Sequence, residues 1–260
     1  MARTSVTSTS VADTAAAPAV RLAGATKRFG DALILDRIDL DVAEGEFVCL
    51  LGASGCGKST LLNLVAGLDR PTAGTVTARA ARPALMFQDH ALFPWLTAGG
   101  NVELALELGG MDRRERRAEA ERLLALVRLQ GAHGKRIHEM SGGMRQRVAL
   151  ARALAQGSRI LLMDEPFAAL DAITRDVLHE VLTDVWEQRK LSIVFVTHNV
   201  REAVRLGQRV VLLSSRPGRI AHEWQVGIPY PRRIEDHDVA ELSLEITGHL
   251  REEIRRHARH

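Results

Sequence analysis

Phe47-Val48-Cys49-Leu50-Leu51-Gly52-Ala53-Ser54-Gly55-Cys56-Gly57-Lys58-Ser59-Thr60 decides how this chain folds. Five apolar residues in an unbroken run suit a strand buried on both faces of a sheet, and a glycine-rich turn closes it. The turn fits G-x-x-x-x-G-K-[ST], the spacing of a phosphate-binding loop. Phosphates carry dense negative charge and need many donors at short range. Glycines let the backbone curl so that successive N–H groups point inward. The Lys58 ammonium reaches the β- and γ-phosphates, and the Ser59 hydroxyl offers a ligand to Mg²⁺. Thr60 to Gly67 reads as a helix stopped by Gly67, with its positive N-terminus facing the same phosphates. Gly52, Ser54, Gly55, Cys56, Gly57, Lys58, Ser59 and Thr60 are therefore expected to hold a nucleotide. Cys56 reads as a small loop residue in preference to a redox sensor.

Further unbroken apolar runs occur at Ile160-Leu161-Leu162-Met163, Ile193-Val194-Phe195-Val196 and Val210-Val211-Leu212-Leu213. From Val20 onward the chain reads as strands alternating with helices, which predicts a parallel α/β sheet. The stretch from about Asn101 to Gln156 carries helix signals and no strand. Asp112 with Glu115 resembles a capping box, and Leu123, Leu124 and Val127 share one apolar face. This predicts a helical insert, with Arg113-Arg114-Glu115-Arg116-Arg117 as a solvated helix face. Val239, Leu242, Ile246 and Leu250 recur at helical spacing, expected to be a helix packed on its own domain rather than on a partner. His249, His257 and His260 lack a thiolate or carboxylate to complete a metal set. The expected division is a polar, disordered extension over 1–19 without a signal-peptide pattern, core segments over 20–98 and 157–220, a helical subdomain over 99–156, and a charged amphipathic tail over 221–260.

A carboxylate at the end of a buried strand is what a phosphate-loop site needs to hold Mg²⁺. Asp164, directly after Ile160–Met163, is placed for that, and adjacent Glu165 is placed to polarise a water. Composition limits the alternatives. Lys+Arg 35 against Asp+Glu 32 gives +3, with 46% hydrophobic and 26% charged residues, so no surface is built to track nucleic-acid phosphates. A mean hydropathy of −0.06 and no apolar run near the ~18 residues of a spanning helix exclude an integral membrane protein. Two cysteines, Cys49 and Cys56, are too few for a disulfide framework or zinc site and point to a reducing cytoplasm.

Met140-Ser141-Gly142-Gly143-Met144-Arg145-Gln146-Arg147, running into Val148-Ala149-Leu150-Ala151-Arg152-Ala153-Leu154, resembles the signature sequence of ATP-binding cassette (ABC) ATPases. A Ser-Gly-Gly entry to a helix supplies a second anion site of N–H groups, a hydroxyl and a helix dipole. Gln88 after Met86-Phe87, Asp164-Glu165-Pro166, Ala168-Ala169-Leu170-Asp171 and Thr197-His198 follow in that family's order. The resemblance covers about residues 20–220 and implies an ABC ATPase fold: a phosphate-loop core with a largely parallel sheet and an inserted α-helical subdomain.

The same resemblance implies roles. Phe29 resembles the aromatic that stacks on adenine, its alternative being a core Phe. Gln88 resembles the residue that senses Mg²⁺ and the attacking water, giving Ser59, Gln88 and Asp164 as metal residues. Glu165 resembles the general base, and His198 the switch histidine at the γ-phosphate. Asp171 belongs to a loop that crosses to a second subunit, and Ser141, Gly142 and Gly143 contact the ATP held by that subunit. The family thus implies a dimer with two ATP molecules between its copies, most economically a homodimer, although a paralogous partner would also serve. Met140 and Met144 depart from the family's Leu and Gln, Ala168 stands where Ser is common, and the segment Thr75 to Leu85 is short for the family.

Phe87-Gln88-Asp89-His90-Ala91-Leu92-Phe93-Pro94-Trp95-Leu96-Thr97 and Leu213-Ser214-Ser215-Arg216-Pro217-Gly218-Arg219-Ile220 resemble the nitrate/sulfonate/taurine class of bacterial importers. The implied protein is a peripheral ATPase on the cytoplasmic face of the membrane, bound to transmembrane permease subunits. An extracytoplasmic solute-binding protein supplies the cargo, a small anion such as an alkanesulfonate, taurine or nitrate. Phe93 and Trp95 are expected either at the permease interface or in the subdomain core. The alternative is a non-transport cassette acting on nucleic acid, the ribosome or cluster assembly. Such cassettes usually carry coiled coils, zinc modules or a second cassette in the chain, and none of these is present.

Overall fold

The structure, a computed structural model, describes residues 17–80 and 82–257. The extension expected over 1–19 lies outside the described residues as far as residue 16, and so does His260. At the boundary itself Ala19 is buried and its carbonyl accepts from Arg79 N, so packed chain begins before β1.

Strands β1 (Val20–Phe29), β2 (Ala32–Val42) and β3 (Phe47–Leu51) come first, then helix α1 (Lys58–Val65), β4 (Ala73–Ala78) and β5 (Ala84–Met86). Helices α2 (Ala98–Leu108), α3 (Arg113–Leu126) and α4 (Gly142–Leu154) follow, with a short 3₁₀ turn at Ile137–Glu139. The chain then runs through β6 (Ile160–Asp164), α5 (Ala172–Arg189), β7 (Ser192–Val196), α6 (Val200–Leu206), β8 (Arg209–Leu213), β9 (Ile220–Gln225) and α7 (His237–His257).

Six strands form the central sheet in the order β5-β6-β7-β3-β8-β9. Every pairing in it is parallel except β8–β9. All five residues of β3 are buried, because alternate side chains enter two cores: Phe47, Cys49 and Leu51 on one face, Val48 and Leu50 on the other. The first core also takes the apolar faces of α2, α3 and α4, including Leu123, Leu124 and Val127. The second is closed by α1 and by a separate antiparallel sheet, β2-β1-β4.

That antiparallel sheet corrects the expectation of strict strand–helix alternation from Val20. β1 carries the alternating burial of a strand wetted on one side, with Val20 and Leu22 inward and Arg21 and Ala23 outward. The tail also begins later than expected, because Ile220–Gln225 pairs with β8 as the sheet's sixth strand. Beyond it, Val239 and Ile246 of α7 are fully buried. The helix packs on α6. At the start of α3, Asp112 accepts from Arg114 N at 2.8 Å, a cap made one residue earlier than the Asp112/Glu115 spacing suggests.

Candidate active site

The carboxyl ends of β3, β6 and β7 lie side by side. Leu50 pairs with Val196 and Asp164 with Val196, so the loops leaving these strands converge, as ligand-binding loops do in parallel sheets. A cleft of about 470 Å³ opens there, lined by Phe29, Ser54, Gly55, Gly57, Lys58, Ser59, Thr60, Gln88, Asp164 and Glu165. Residues far apart in sequence thus share one concavity. A cavity of about 660 Å³ lies at the opposite end of β6 and β7, lined by Arg79, Arg82, Arg159 and Lys190. It contains neither the phosphate-binding turn nor a carboxylate pair.

Within the loop, Gly57 has φ +104°, and a Cβ there would sit 2.6 Å from Leu35 Cδ2. Only glycine fits this turn against β2. Lys58 is almost wholly buried, and its Nζ donates to the carbonyls of Gly52 at 2.8 Å and Ala53 at 3.0 Å. Its ammonium stands 3.9 Å from Glu165 Oε1. Gly52 and Cys56 lie beneath the loop rather than in the cleft. The Cys56 side chain is buried, and burial pushes its thiol up, opposed by the nearby Lys58 ammonium. Neither Gly52 nor Cys56, both expected among the nucleotide-holding residues, lines the cleft. Phe29 is 53% exposed, which removes the core alternative, and Lys27 Nζ stands 4.7 Å from its ring centre.

Glu165 takes a left-handed backbone with φ +44°, a conformation costing about 1–3 kcal/mol for a side chain of this kind. Its N–H donates to Val196 O at 3.0 Å, so the strain is held by the carboxyl end of β7 just before His198. His198 Nδ1 lies 2.9 Å from Glu165 Oε2. The two residues, 33 positions apart, form a hydrogen-bonded pair in which Glu165 lines the cleft and the exposed His198 side chain stands beside it.

Asp164 closes β6 and shares the cleft lining with Ser59. Burial pushes this carboxyl up and the Glu165 charge adds to that, opposed by the nearby Ser59 hydroxyl and the Lys58 ammonium. An acid raised in the folded state stabilises the fold below the ordinary carboxylate range, and that contribution is lost as pH rises through the raised value. Asp164 therefore costs stability at neutral pH. Asp164→Asn is expected to raise the melting temperature of the protein alone at pH 7. The gain should disappear below about pH 4. An Asn variant that melts lower at pH 7 rules burial out as the dominant cause.

The expected Ser-Gly-Gly element lies elsewhere. Ser141 caps α4, its Oγ accepting from Met144 N at 3.3 Å. A Cβ on Gly143 would come within 2.2 Å of Thr174 Cγ2, so glycine lets α4 approach α5 closely without displacing Thr174. Asp171 caps α5, accepting from Thr174 N at 2.9 Å, and that N–H holds its carboxyl below the ordinary range. Ser141, Gly142, Gly143 and Asp171 thus form a second group where the start of α4 meets the start of α5, outside the cleft lining.

Two features escaped the sequence reading. The Arg216 guanidinium lies over the phosphate-binding turn, 3.1 Å from where a Cβ on Gly55 would stand, although its segment had served only to narrow the resemblance. Behind His198, Thr197, His179 and Glu202 are buried and joined by hydrogen bonds. Only the tertiary contact marks them.

Comparison with known proteins agrees with this geometry. A model of the family described as ABC transporter matches residues 35–168. The chain is 48% identical over 207 residues to the nitrate import ATP-binding protein NrtD of Synechocystis sp., covering 77% of this chain and 78% of the relative. It is 50% identical over 196 residues to the taurine import ATP-binding protein TauB of Sinorhizobium fredii, covering 73% of each. Against the aliphatic sulfonates import ATP-binding protein SsuB 1 of Mesorhizobium japonicum, identity is 45% over 234 residues, covering 87% of this chain and 86% of the relative. Among solved structures, the dimeric post-hydrolysis state of the ATP-binding cassette MJ0796 bound to ADP and Pi superposes with a TM-score of 0.69 at 34% identity. That match covers 81% of this chain and all of the other. A phosphate-binding turn, a carboxylate pair and a capped Ser-Gly-Gly helix on this fold, with relatives alike along most of their length, lead to one assignment: the chain belongs to the ABC transporter family, as one of its ATP-hydrolysing subunits.

Proposed function

We propose that this ATPase drives a bacterial importer of a small oxyanion, with an alkanesulfonate or taurine as cargo ahead of nitrate. The observation that carries the reading is the set of three import subunits, named for nitrate, taurine and aliphatic sulfonates, at 45–50% identity. Nucleic-acid and ribosome readings find no matching feature in the chain.

The residues support a division of labour. Phe29 offers its exposed ring to adenine, and the N–H groups from Ser54 to Thr60, with Lys58, receive the phosphates. Ser59, Asp164 and Gln88 present a hydroxyl, a carboxyl and an amide oxygen on one cleft, an all-oxygen donor set that suits a hard divalent cation. Mg²⁺ held there supplies charge neutralisation at the β- and γ-phosphates. Glu165 orients the attacking water and accepts its proton, and His198 holds Glu165 and faces the terminal phosphate.

Ser141, Gly142, Gly143 and Asp171 lie outside the cleft that holds Lys58, so one chain carries two incomplete halves. Two copies arranged head to tail complete both, and the similar solved cassette is itself dimeric. Closure on ATP and reopening after hydrolysis then work the membrane subunits. Their docking surface is the turn from Phe87 to Leu96. Asn101 braces it through bonds to Phe93 N at 2.8 Å, Phe93 O at 3.2 Å and Thr97 O at 3.0 Å. Trp95 projects from it 68% exposed, with its ring 5.3 Å from Phe93. No described helix is long and apolar enough to cross a membrane, so peripheral attachment through this turn to the cytoplasmic side of permease subunits suits the chain. An extracytoplasmic binding protein delivers the solute without touching this subunit.

Growth tests the cargo. A strain carrying only Glu165→Gln is expected to fail on taurine or alkanesulfonates as sole sulfur source while growing normally on sulfate and ammonium. Failure on nitrate alone replaces the cargo. Growth equal to wild type on every source refutes sulfonate import.

A further inference from the structure

The residues that face substrate leave unused a buried polar chain directly behind them. His179 of α5 is 1% exposed, and its two ring nitrogens have different partners. Nδ1 lies 3.3 Å from Arg205 Nη1, a group that only donates, so the ring proton belongs on Nε2. Nε2 lies 2.7 Å from Glu202 Oε1 and donates to it. The second Glu202 oxygen, Oε2, accepts from the Thr197 hydroxyl, and Thr197 Oγ1 accepts from Asn199 N at 3.0 Å. Asn199 in turn caps α6 through Arg201 N at 3.1 Å and Glu202 N at 3.3 Å. His198 sits between Thr197 and Asn199, so both of its neighbours in the chain are tied to Glu202.

His179 also reaches the other member of the pair. Its ring packs 5.6 Å from that of Phe167, two residues after Glu165 in the turn where Ala168 N bonds to Glu165 O at 3.2 Å. A cavity of about 30 Å³ separates the chain from the pair, lined by Glu165, Phe167, Arg175, Thr197, His198 and Glu202. The loops bearing Glu165 and His198 therefore rest on one buried imidazole, and that imidazole belongs to the helix whose cap is Asp171.

We propose that His179 and Glu202 are positioning residues: they hold the Glu165 and His198 turns at the 2.9 Å separation and link that pair to the start of α5. The inference rests on the reading of Glu165 and His198 as the hydrolytic pair. Neither His179 nor Glu202 touches substrate. A carboxyl accepting from both sides sets the Thr197 hydroxyl and fixes the turn more firmly than packing alone would. Misplacement of reacting groups by about 1 Å costs on the order of 100-fold in rate, so loosening this support is expected to appear in kcat and not in ATP affinity.

The test uses the full chain, with ATP turnover measured by phosphate release and ATP affinity by titration. Thr197→Val, which removes the hydroxyl alone, is expected to lower kcat about tenfold or more, with the KM for ATP within about twofold of wild type. Thr197→Ser should restore most of the rate. His179→Leu should behave like Thr197→Val, and His179→Gln, whose amide still donates to Glu202, should recover. Where His179→Leu melts below the assay temperature, the Thr197 pair decides. The discriminating measurement is a cycle with His198→Ala: in that background Thr197→Val should have no further effect, because the interaction it serves is gone. Independent, multiplicative losses overturn the proposal, as does a loss confined to KM or an equal loss in the Ser and Val variants. Wild-type turnover in His198→Ala alone refutes instead the hydrolytic reading on which the inference stands.

Discussion

Glu165→Gln is expected to bind ATP like the wild-type chain and to turn it over at least an order of magnitude more slowly, at least about 1.4 kcal/mol on the barrier. Removing a general base typically costs about 100- to 10,000-fold. The substitution preserves shape, and the amide oxygen still accepts from His198 Nδ1 across the 2.9 Å contact; only the capacity to take a proton is lost. Because hydrolysis is what reopens the proposed dimer, the variant should also accumulate as a dimer when ATP is added. Size-exclusion chromatography with light scattering reads the mass, and phosphate release reads the turnover. Turnover near wild type removes Glu165 from the base role, whatever the mass shows.

Lys58→Ala separates binding from chemistry. The ammonium is almost buried, held by Gly52 O and Ala53 O within the turn, and among the described residues it is the one side-chain cation lining the cleft. A hydrogen bond to a charged group contributes about 1.5–3 kcal/mol. The expected loss in ATP affinity is therefore roughly 10- to 100-fold, measured by titrating a fluorescent nucleotide analogue. The variant should lose ATP-dependent dimerisation at nucleotide concentrations where Glu165→Gln shows it. Unchanged affinity in a folded Lys58→Ala chain overturns the assignment of the turn. The two variants fail in opposite ways: one holds nucleotide without hydrolysing it, the other does not hold it. An accidental grouping of polar residues predicts no such contrast.

Much of this site was legible one residue at a time, because its chemistry constrains short segments. A phosphate-binding turn needs glycines, a lysine and a hydroxyl within a few positions, and a strand end needs its carboxylate next in the chain. Ser141, Asp171 and Asn199 each cap a helix with their own side chain, another local requirement written in local residues. The apolar runs announced strands buried on both sides for the same reason, since every position of β3 and β7 is buried.

Other features were not legible, since their cause lies between segments. Antiparallel pairing of β1 with β2 and β4, and addition of β9 to the sheet edge, depend on which partner a strand finds. Alternating patterns do not name that partner. The exposure of Phe29 and Trp95, left open by the sequence, is decided by what packs near them. His179, in an otherwise ordinary helix, gained its meaning only when Glu202 and Thr197 were brought beside it.

By itself, then, the order of residues determined the phosphate-binding chemistry, the class of fold and the location of each motif on a strand end or helix start. Those properties follow from backbone conformation and side-chain type over spans of a few residues. Only the tertiary structure decided that Glu165 and His198 meet, that Cys56 is buried away from the cleft lining, that the Ser-Gly-Gly helix stands apart from Lys58, and that a buried imidazole lies behind the Glu165 and His198 turns. Those are distances between residues remote in the chain, set by the crossing of helices over a sheet whose two faces must both be covered.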